Sequence, residues 1–362
     1  MQKKIIALAV VAAAFSAPAF ADVTPYGILD AAVVSVSADG QKSDLLGYSG
    51  GLSTSRVGLK ISEDLGDGLT AAGVLEYALD TQTSDTVGNA RQEYVALAGS
   101  FGTVASGYLQ TTGYDFAAKY DPVAGSLVSP LQSVAKGGGF LIGTTAGAAR
   151  AQRALAYISP SMGGLSFALN YSTALAGTDL GAASSATTGL KSTAVLASAS
   201  YAEGPISAGL VYAGTGNENA GGATTSEYAL GGSYDLGVAK ILATYQSSKA
   251  STATKDNTAM SLSGVIPLGN DALALTYASN TMATANSNGT GYTVGYLRTV
   301  SKTVTGYAAY HSVTNGSGTN VYSVVGNALG GGTTAQGGSG TTTTLTNGGS
   351  SSILAVGLRK KF

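Results

Sequence analysis

The segment Ser351–Phe362, SSILAVGLRKKF, places apolar residues at every second position. Leu354, Val356 and Leu358 would share one face of a β-strand, and Phe362 extends that face to the last residue. Aliphatic residues that lead to an aromatic residue at the membrane interface are typical of a transmembrane barrel strand. An amphipathic strand of a soluble protein shows the same alternation, so this segment alone leaves both interpretations open.

The first residues favour an exported protein. Lys3 and Lys4 precede an apolar run, and the small-residue stretch that follows ends at Ala21 with the pattern of a cleavage site. We therefore predict a signal peptide over residues 1–21 and a single mature domain over residues 22–362. No later stretch offers about 18 apolar residues in a row, which excludes a helical membrane protein.

Composition narrows the class of protein further. The chain has 19 basic and 20 acidic residues, and the signal peptide would remove two lysines, so the exported part is weakly acidic and offers no electrostatic support for nucleic-acid binding. The absence of cysteine excludes disulfides and thiolate metal sites. Its 52 glycines disfavour helices, and its 20 tyrosines suit strands. We predict a β-rich domain without a metal or other cofactor.

The connections between candidate strands alternate in length along the mature chain. Seven short turns are rich in turn-forming residues and lie at 63–68, 99–102, 159–164, 203–205, 235–237, 267–271 and 299–302. Eight long connections lie between them at 37–52, 81–89, 110–149, 174–190, 215–225, 250–256, 281–288 and 314–350. This alternation predicts an all-β, antiparallel up-and-down barrel of about 16 strands, an even number with both termini on the short-turn side.

The second predicted strand shows the two faces that such a barrel requires. Val57, Leu59 and Ile61 fall on one side, and Arg56 and Lys60 fall on the other. In the next strand Glu76 lies opposite the apolar side and would face a water-filled lumen. A soluble sandwich would reverse inside and outside, and parity cannot distinguish the two. The signal peptide, the terminal phenylalanine and the alternating connections decide for the membrane barrel.

Five segments in order resemble the general diffusion porins of Gram-negative outer membranes, particularly the trimeric porins of beta-proteobacteria. They are Val23–Asp30 (VTPYGILD), Ser55–Leu69 (SRVGLKISEDLGDGL), Arg91–Leu97 (RQEYVAL) followed by Phe101–Val104 (FGTV), Tyr157–Pro160 (YISP) and Gly357–Phe362 (GLRKKF). The resemblance covers nearly the whole mature chain. It implies a passive channel for small hydrophilic solutes and ions, with no enzymatic activity. It also implies a homotrimer among outer-membrane lipids, inserted by the barrel assembly machinery, which reads Phe362 as its signal.

The resemblance also implies a pore constriction, in which the third long connection, residues 110–149, folds into the barrel. Its charged residues are Asp115, Asp121, Lys119 and Lys136. The basic residues expected on the facing wall are Arg56, Lys60, Arg91, Arg150 and Arg153, with Glu76 as the wall acid. Arg91 shares parity with outward residues, so it reaches the lumen only through a β-bulge or at the rim. Tyr108 follows Gly107 where the family pattern has arginine, so we expect weak charge selectivity.

Two other functions remain open at this point. A solute-specific channel, for instance for sugars, would need an aromatic track in the lumen; Tyr108, Tyr114 and Tyr120 lie near the expected constriction, but the chain has no tryptophan. A structural or adhesive barrel would not conduct at all. The single histidine, His311, is interpreted as a rim residue, because one histidine among scattered acids cannot form a histidine-rich metal site.

Overall fold

The computed structural model describes residues 21–39, 44–82, 88–142, 149–175, 192–217, 223–324 and 345–362. The predicted signal peptide lies outside these residues except for Ala21, as does most of the connection predicted at 174–190. Seventeen strands are present: β1 Asp22–Ala38, β2 Asp44–Ser49, β3 Arg56–Gly66, β4 Leu69–Ala78, β5 Ala90–Gly99, β6 Gly102–Gln110, β7 Arg150–Ile158, β8 Leu165–Leu175, β9 Ser192–Glu203, β10 Ile206–Asn217, β11 Ala223–Asp235, β12 Lys240–Ala250, β13 Asn257–Leu268, β14 Asp271–Thr281, β15 Gly289–Thr299, β16 Val304–Asn315 and β17 Ser350–Lys361. Two short helices, α1 Thr112–Tyr120 and α2 Pro130–Gly137, lie between β6 and β7.

The strands form one closed antiparallel sheet. Each strand pairs with its neighbours along the chain, and β17 pairs with β1 from Ile28–Lys361 to Ala38–Ser351. β2 and β3 pair with successive parts of β1, so together they occupy one strand position, and the barrel has 16 strand positions. The up-and-down barrel of about 16 strands is therefore confirmed. Closure matters because a sheet without edges leaves no unpaired backbone groups for lipid.

The second strand position, shared by β2 and β3, is interrupted at residues 50–55, where the chain makes an excursion out of the sheet. The prediction placed this region in a long connection over residues 37–52, but β2 already belongs to the barrel. The carboxylate of Asp30 accepts the N–H groups of Leu52 (3.1 Å) and Ser53 (2.8 Å), and it also accepts the hydroxyl of Tyr307 (2.6 Å). This buried acid stabilises the excursion, because it supplies acceptors for backbone groups that leave the ladder.

Apolar side chains cover the outside of the barrel. In β17 Leu354, Val356 and Leu358 are about half exposed (47%, 54% and 53%), while Ile353 and Ala355, on the opposite face, are completely buried. The other strands repeat this pattern, for example Val95 and Leu97 against Tyr94 and Ala96 in β5. A soluble sandwich hides its large aliphatic residues, whereas this barrel exposes them. The distribution is the one that lipid requires, and it settles the question that parity left open.

Three local irregularities shift residues relative to the barrel wall. The register between β4 and β5 changes between Glu76 and Tyr77, which leaves Arg91 as an extra residue in β5. The register between β6 and β7 changes between Gly107 and Leu109, so two residues of β7, Gln152 and Arg153, lie opposite Tyr108. In β7, Arg153 has a positive φ of 48° and no partner in β8. Such bulges break the simple alternation from which side-chain direction is inferred.

The connection between β6 and β7 folds into the lumen. α1 packs against β8 to β12, and α2 packs against β13 to β16. Leu131 and Val134 of α2 are fully buried against the wall. In the part of the chain that the structure describes, neither helix packs extensively against β3 to β7, so the open part of the lumen lies between that wall and the loop.

Candidate pore constriction

Glu76 forms an ion-pair cluster on the open wall. Its carboxylate lies 2.8 Å from Nε of Arg91 and 3.5 Å from Nε of Arg56, and it accepts the hydroxyl of Tyr26 at 3.0 Å. Glu76 is 5% exposed and lies beneath the two arginines. The sequence had predicted that it would face lumen water. Arg91 reaches the cluster from the bulge in β5. The cluster joins three strands and partly cancels the charge of both arginines.

Arg150 has no anionic partner in the part of the chain that the structure describes. It lies at the start of β7, and its guanidinium carbon is 5.2 Å from the centre of the Tyr114 ring on α1. Its Nε and Nη2 atoms are buried and have no hydrogen-bond partner. Arg150 is only 7% exposed, so its charge acts on ions in the lumen through the electric field and not by direct contact.

The other two wall cations occupy different environments. Lys60 is exposed, and its Nζ lies 4.9 Å from the centre of the Tyr26 ring, next to the Glu76 cluster. Arg153 is exposed in its bulge, and the next residue, Ala154, is buried. Arg153 therefore lies on the same face of β7 as the exposed Leu155 and Tyr157. The structure thus brings Arg56, Lys60 and Arg91 together and does not bring Arg153 into their cluster.

The two loop acids differ from each other. Asp115 on α1 is exposed and accepts a hydrogen bond from Nε2 of Gln110 at 2.6 Å. Asp121 is 4% exposed and accepts the N–H of Val123 at 3.0 Å and the hydroxyl of Ser129 at 2.5 Å. The expectation that Asp121 faces the wall cations is therefore wrong, because its carboxylate is used inside the loop. Burial raises the pKa of Asp121 to about 6, and the bonds from Ser129 and Val123 oppose that shift.

Of the two loop lysines, only Lys119 has a side chain that the structure describes. Lys119 is half-buried at the end of α1, with Nζ 5.5 Å from the centre of the Tyr120 ring. Burial lowers the pKa of Lys119, and the charge of Lys240 lowers it further. Lys136 lies in α2, and its side chain is outside the described part of the structure.

Two paired glycines on the wall make room for α1. A Cβ atom on Gly231 would lie 2.5 Å from Cδ2 of Tyr120 and 2.8 Å from Cε2 of Phe116, and one on Gly209 would lie 2.9 Å from the Tyr120 hydroxyl. Gly209 and Gly231 are opposite each other in the β10–β11 ladder. The two aromatic rings occupy the space that side chains would otherwise fill, which seats the helix directly on the wall.

Polar side chains of the wall hold the loop through its backbone. Glu227 of β11 accepts the N–H groups of Leu141 (2.6 Å) and Ile142 (2.9 Å), and Gln246 of β12 donates to the carbonyl of Ile142 (2.9 Å). Three further wall side chains also bind the loop backbone: Asn170 Oδ1 accepts the N–H of Thr112 (2.8 Å), Asn280 Nδ2 donates to the carbonyl of Val134 (2.9 Å), and Thr293 Oγ1 donates to the carbonyl of Val128 (2.7 Å). These bonds fix the position of the loop and therefore the width of the opening.

His311 is a loop contact and not the rim residue that was predicted. It is fully buried, and its Nε2 lies 2.9 Å from Oγ of Ser133 on α2. Its Nδ1 lies 3.0 Å from both Thr293 Oγ1 and the carbonyl oxygen of Tyr292. The sequence placed His311 near a strand end, but it gave no sign that α2 would cover that position.

Sequence reasoning also missed a second cluster on the wall. Tyr307 donates to Asp30, and Arg359 of β17 donates from Nη1 to the hydroxyl of Ser53 at 3.0 Å. Nε of Arg359 is buried and has no partner. Parity contained a usable signal, because Asp30 and Arg359 both alternate with lipid-facing residues.

Comparison with known proteins agrees with this geometry. A family model described as Gram-negative porin matches residues 7–319. The chain belongs to the Gram-negative porin family. Membership makes this porin a channel-type protein of the outer membrane.

Two sets of relatives and solved structures are similar to this porin. Outer membrane porin protein 32 of Delftia acidovorans is 31% identical over 311 residues, which cover 83% of this chain and 86% of that protein. Major outer membrane protein P.IB of Neisseria gonorrhoeae is 36% identical over 116 residues, or 31% of this chain and 33% of that protein. The anion-selective porin from Comamonas acidovorans has a similar fold, with a TM-score of 0.75 at 24% identity, covering 95% of this chain and all of that one.

The helices of this porin are short. Within the described residues, none is long and apolar enough to cross a bilayer.

Proposed function

We propose that this porin is a passive diffusion channel for small hydrophilic solutes and ions, with a weak preference for anions. The observation that carries the proposal is a closed barrel with an apolar exterior, whose lumen is narrowed by one inserted loop against a basic wall. Such a pore needs no energy source, because solutes move down their own gradients.

The charges support a weak preference for anions. Arg56 and Arg91 share the Glu76 carboxylate, whereas Arg150 has no anionic partner among the described residues. Asp115 remains exposed on the loop and opposes these cations. The net field at the opening is therefore positive but small, and mobile ions screen it over about 8 Å at physiological salt. The Comamonas relative is named for anion selectivity, in line with this proposal.

The outer surface supports a homotrimer. Exposed aromatic residues mark the lipid interface on β7 to β17, for example Tyr171, Tyr228, Tyr245 and Tyr292. In the described parts of β1 to β6 the exposed large residues are mostly aliphatic, with Phe101 at the β5–β6 turn as an exception. Glu93 also lies on this outer face, where it accepts the hydroxyl of Tyr77. A sector with few interfacial aromatics and with a carboxylate suits contact with another subunit better than lipid. An outer membrane protein of Vibrio cholerae with a similar fold was solved in a trimer form (TM-score 0.62).

Planar-bilayer and liposome measurements test the proposal together. We expect stable conductance steps, osmotic swelling rates that fall smoothly with sugar size, and a small zero-current potential of anionic sign in a salt gradient. An impermeable barrel would indicate a structural or adhesive role. Saturable block by one sugar would indicate a solute-specific channel. Monomer mobility in unheated gels after gentle extraction would contradict the trimer.

A further inference from the structure

The last long connection, between β16 and β17, inserts one aromatic residue beside the constriction loop. Tyr322 is 1% exposed, and its ring lies between Gly137, the last residue of α2, and Gly289, the first residue of β15. A Cβ atom on Gly137 would lie 2.4 Å from Cδ1 of the ring, and one on Gly289 would lie 2.6 Å from Cδ2. Both glycines therefore form a socket that this ring fills.

The hydroxyl group of Tyr322 is bound as closely as its ring. It donates to the carbonyl of Ser287 at 2.7 Å and accepts from Nδ2 of Asn280 at 2.9 Å. The same Asn280 amide group donates to the carbonyl of Val134 in α2 at 2.9 Å. One wall side chain thus joins the connection and the helix of the constriction loop.

The backbone of this segment is also fixed. The side chain of Asn315, at the end of β16, accepts the N–H of Tyr322 at 2.9 Å and donates to its carbonyl at 2.8 Å. Val324 and Leu345, on the two described sides of the connection, are buried in the same apolar cluster as Val123, Leu127 and Val128 of the constriction loop. Fixing this segment costs conformational entropy. Its polar and apolar contacts together offset that cost.

We infer that Tyr322 is a positioning residue that holds the C-terminal end of α2 against the wall, so that its packing sets the width and steadiness of the pore. This inference rests on the proposed channel function. Without Tyr322, the end of α2 loses the ring that packs on Gly137, and the Asn280 amide loses one of its two acceptors. The loop would then explore a larger part of the lumen.

Single-channel recording of the full-length protein tests this inference with Tyr322→Ala, Tyr322→Phe and a matched control, Val321→Ala. Val321 is the neighbouring residue and is 56% exposed. We expect Y322A to raise the mean conductance and to replace the single steady level with fluctuating levels. Y322F keeps the ring in its socket, so it should restore the wild-type conductance with slightly more fluctuation. V321A should match the wild type.

A second variant approaches the socket from the wall. Gly289→Ala adds a methyl group whose three nearest atoms all belong to the Tyr322 ring, so it should expel that ring and reproduce the Y322A recording. If Y322A does not fold, G289A alone decides the outcome. Folded Y322A or G289A protein with wild-type conductance and noise would overturn the inference. Absence of any conductance from the wild type would instead contradict the proposed function.

Discussion

Individual arginines on the pore wall are not equivalent, although the sequence lists them alike. Arg56 and Arg91 are held by Glu76, which leaves each with part of its charge compensated. Arg150 is stacked on Tyr114 and keeps two donors unused. In a confined, low-dielectric opening an uncompensated charge acts more strongly on a passing ion than a paired one. Selectivity should therefore depend mainly on Arg150.

The first prediction compares Arg150→Ala with Arg56→Ala. R150A should shift the zero-current potential in a salt gradient toward cations more than R56A does, because Arg150 lies against the inserted helix α1, whereas Arg56 lies on the open wall beside Glu76. Both variants should keep conducting. The measurement is the reversal potential in planar bilayers at low and high salt, and high salt should reduce the difference. An equal or larger shift in R56A would show that Arg150 does not control the field.

At the scale of elements, the constriction loop depends on small wall residues as much as on its own sequence. Gly231 and Gly209 accept Tyr120 and Phe116 of α1, and Gly289 accepts Tyr322. Added methyl groups in packed regions of this kind cost about 1–3 kcal/mol, because side chains and backbone must move. Loop position can therefore be changed from the wall without altering a loop residue.

The second prediction concerns Gly231→Ala, with the adjacent Gly232→Ala as its control. The methyl group of G231A would collide with Tyr120 and Phe116, whereas the nearest atom to a Cβ on Gly232 is 3.8 Å away. G231A should displace α1 and destabilise the seated loop by about 1–3 kcal/mol. Thermal unfolding and single-channel conductance report the two effects. Equal behaviour of G231A and G232A would contradict the seating of α1 on these glycines.

The third prediction uses the buried Asp121. Its pKa of about 6 lies above the ordinary value of a free aspartate, so the native loop binds a proton more tightly than the unfolded loop does. Docking should therefore be most stable below about pH 4, weaken as the pH rises to about 6, and stay level above that. Hydrogen exchange of peptides covering residues 121–134, corrected for intrinsic rates, should show this trend. Asp121→Asn should remove it, and a pH trend that survives in D121N would assign it to another group.

Sequence patterns predicted the wall better than the loop. Period-two alternation located all seven short turns, because a barrel strand must obey that period to satisfy lipid and water on opposite faces. The same rule cannot place Arg91 or Arg153, since a bulge changes parity by one residue and leaves no clear mark in a single sequence. Asp121 and His311 were misplaced for another reason: their burial depends on long-range packing of the loop, which local spacing does not encode.

For the whole molecule, Phe362 extends by one residue pair the ladder that closes the barrel. The N–H of Gly27 donates to the carbonyl of Phe362 at 3.0 Å, and the N–H of Phe362 donates to the carbonyl of Gly27 at 3.2 Å. The Phe362 ring lies directly against Gly27, where a Cβ atom would come within 2.3 Å of it. The terminal phenylalanine thus completes the ladder between the first and last strands and covers a glycine on the outer face.

The fourth prediction compares deletion of Phe362 with Phe362→Ala. Deletion removes both backbone bonds and the ring, whereas F362A removes only the ring, so deletion should reduce the amount of folded barrel in the outer membrane more. Molecules that do fold should conduct like the wild type, because the constriction is remote from this residue. Heat-modifiable gel mobility of membrane fractions measures the folded amount. Undiminished folded protein after deletion would remove the assembly role of Phe362.

The wall holds the constriction loop mostly by main-chain atoms: Glu227 accepts two N–H groups, and Gln246, Asn280 and Thr293 each donate to a carbonyl oxygen. These hydrogen bonds depend on the backbone path of the loop and do not involve many of its side chains. Residues that face the water, such as Asp115, are therefore exchangeable while the path stays the same. In evolution, point substitutions can therefore change which solutes pass through the barrel while the loop continues to narrow the channel in the same way.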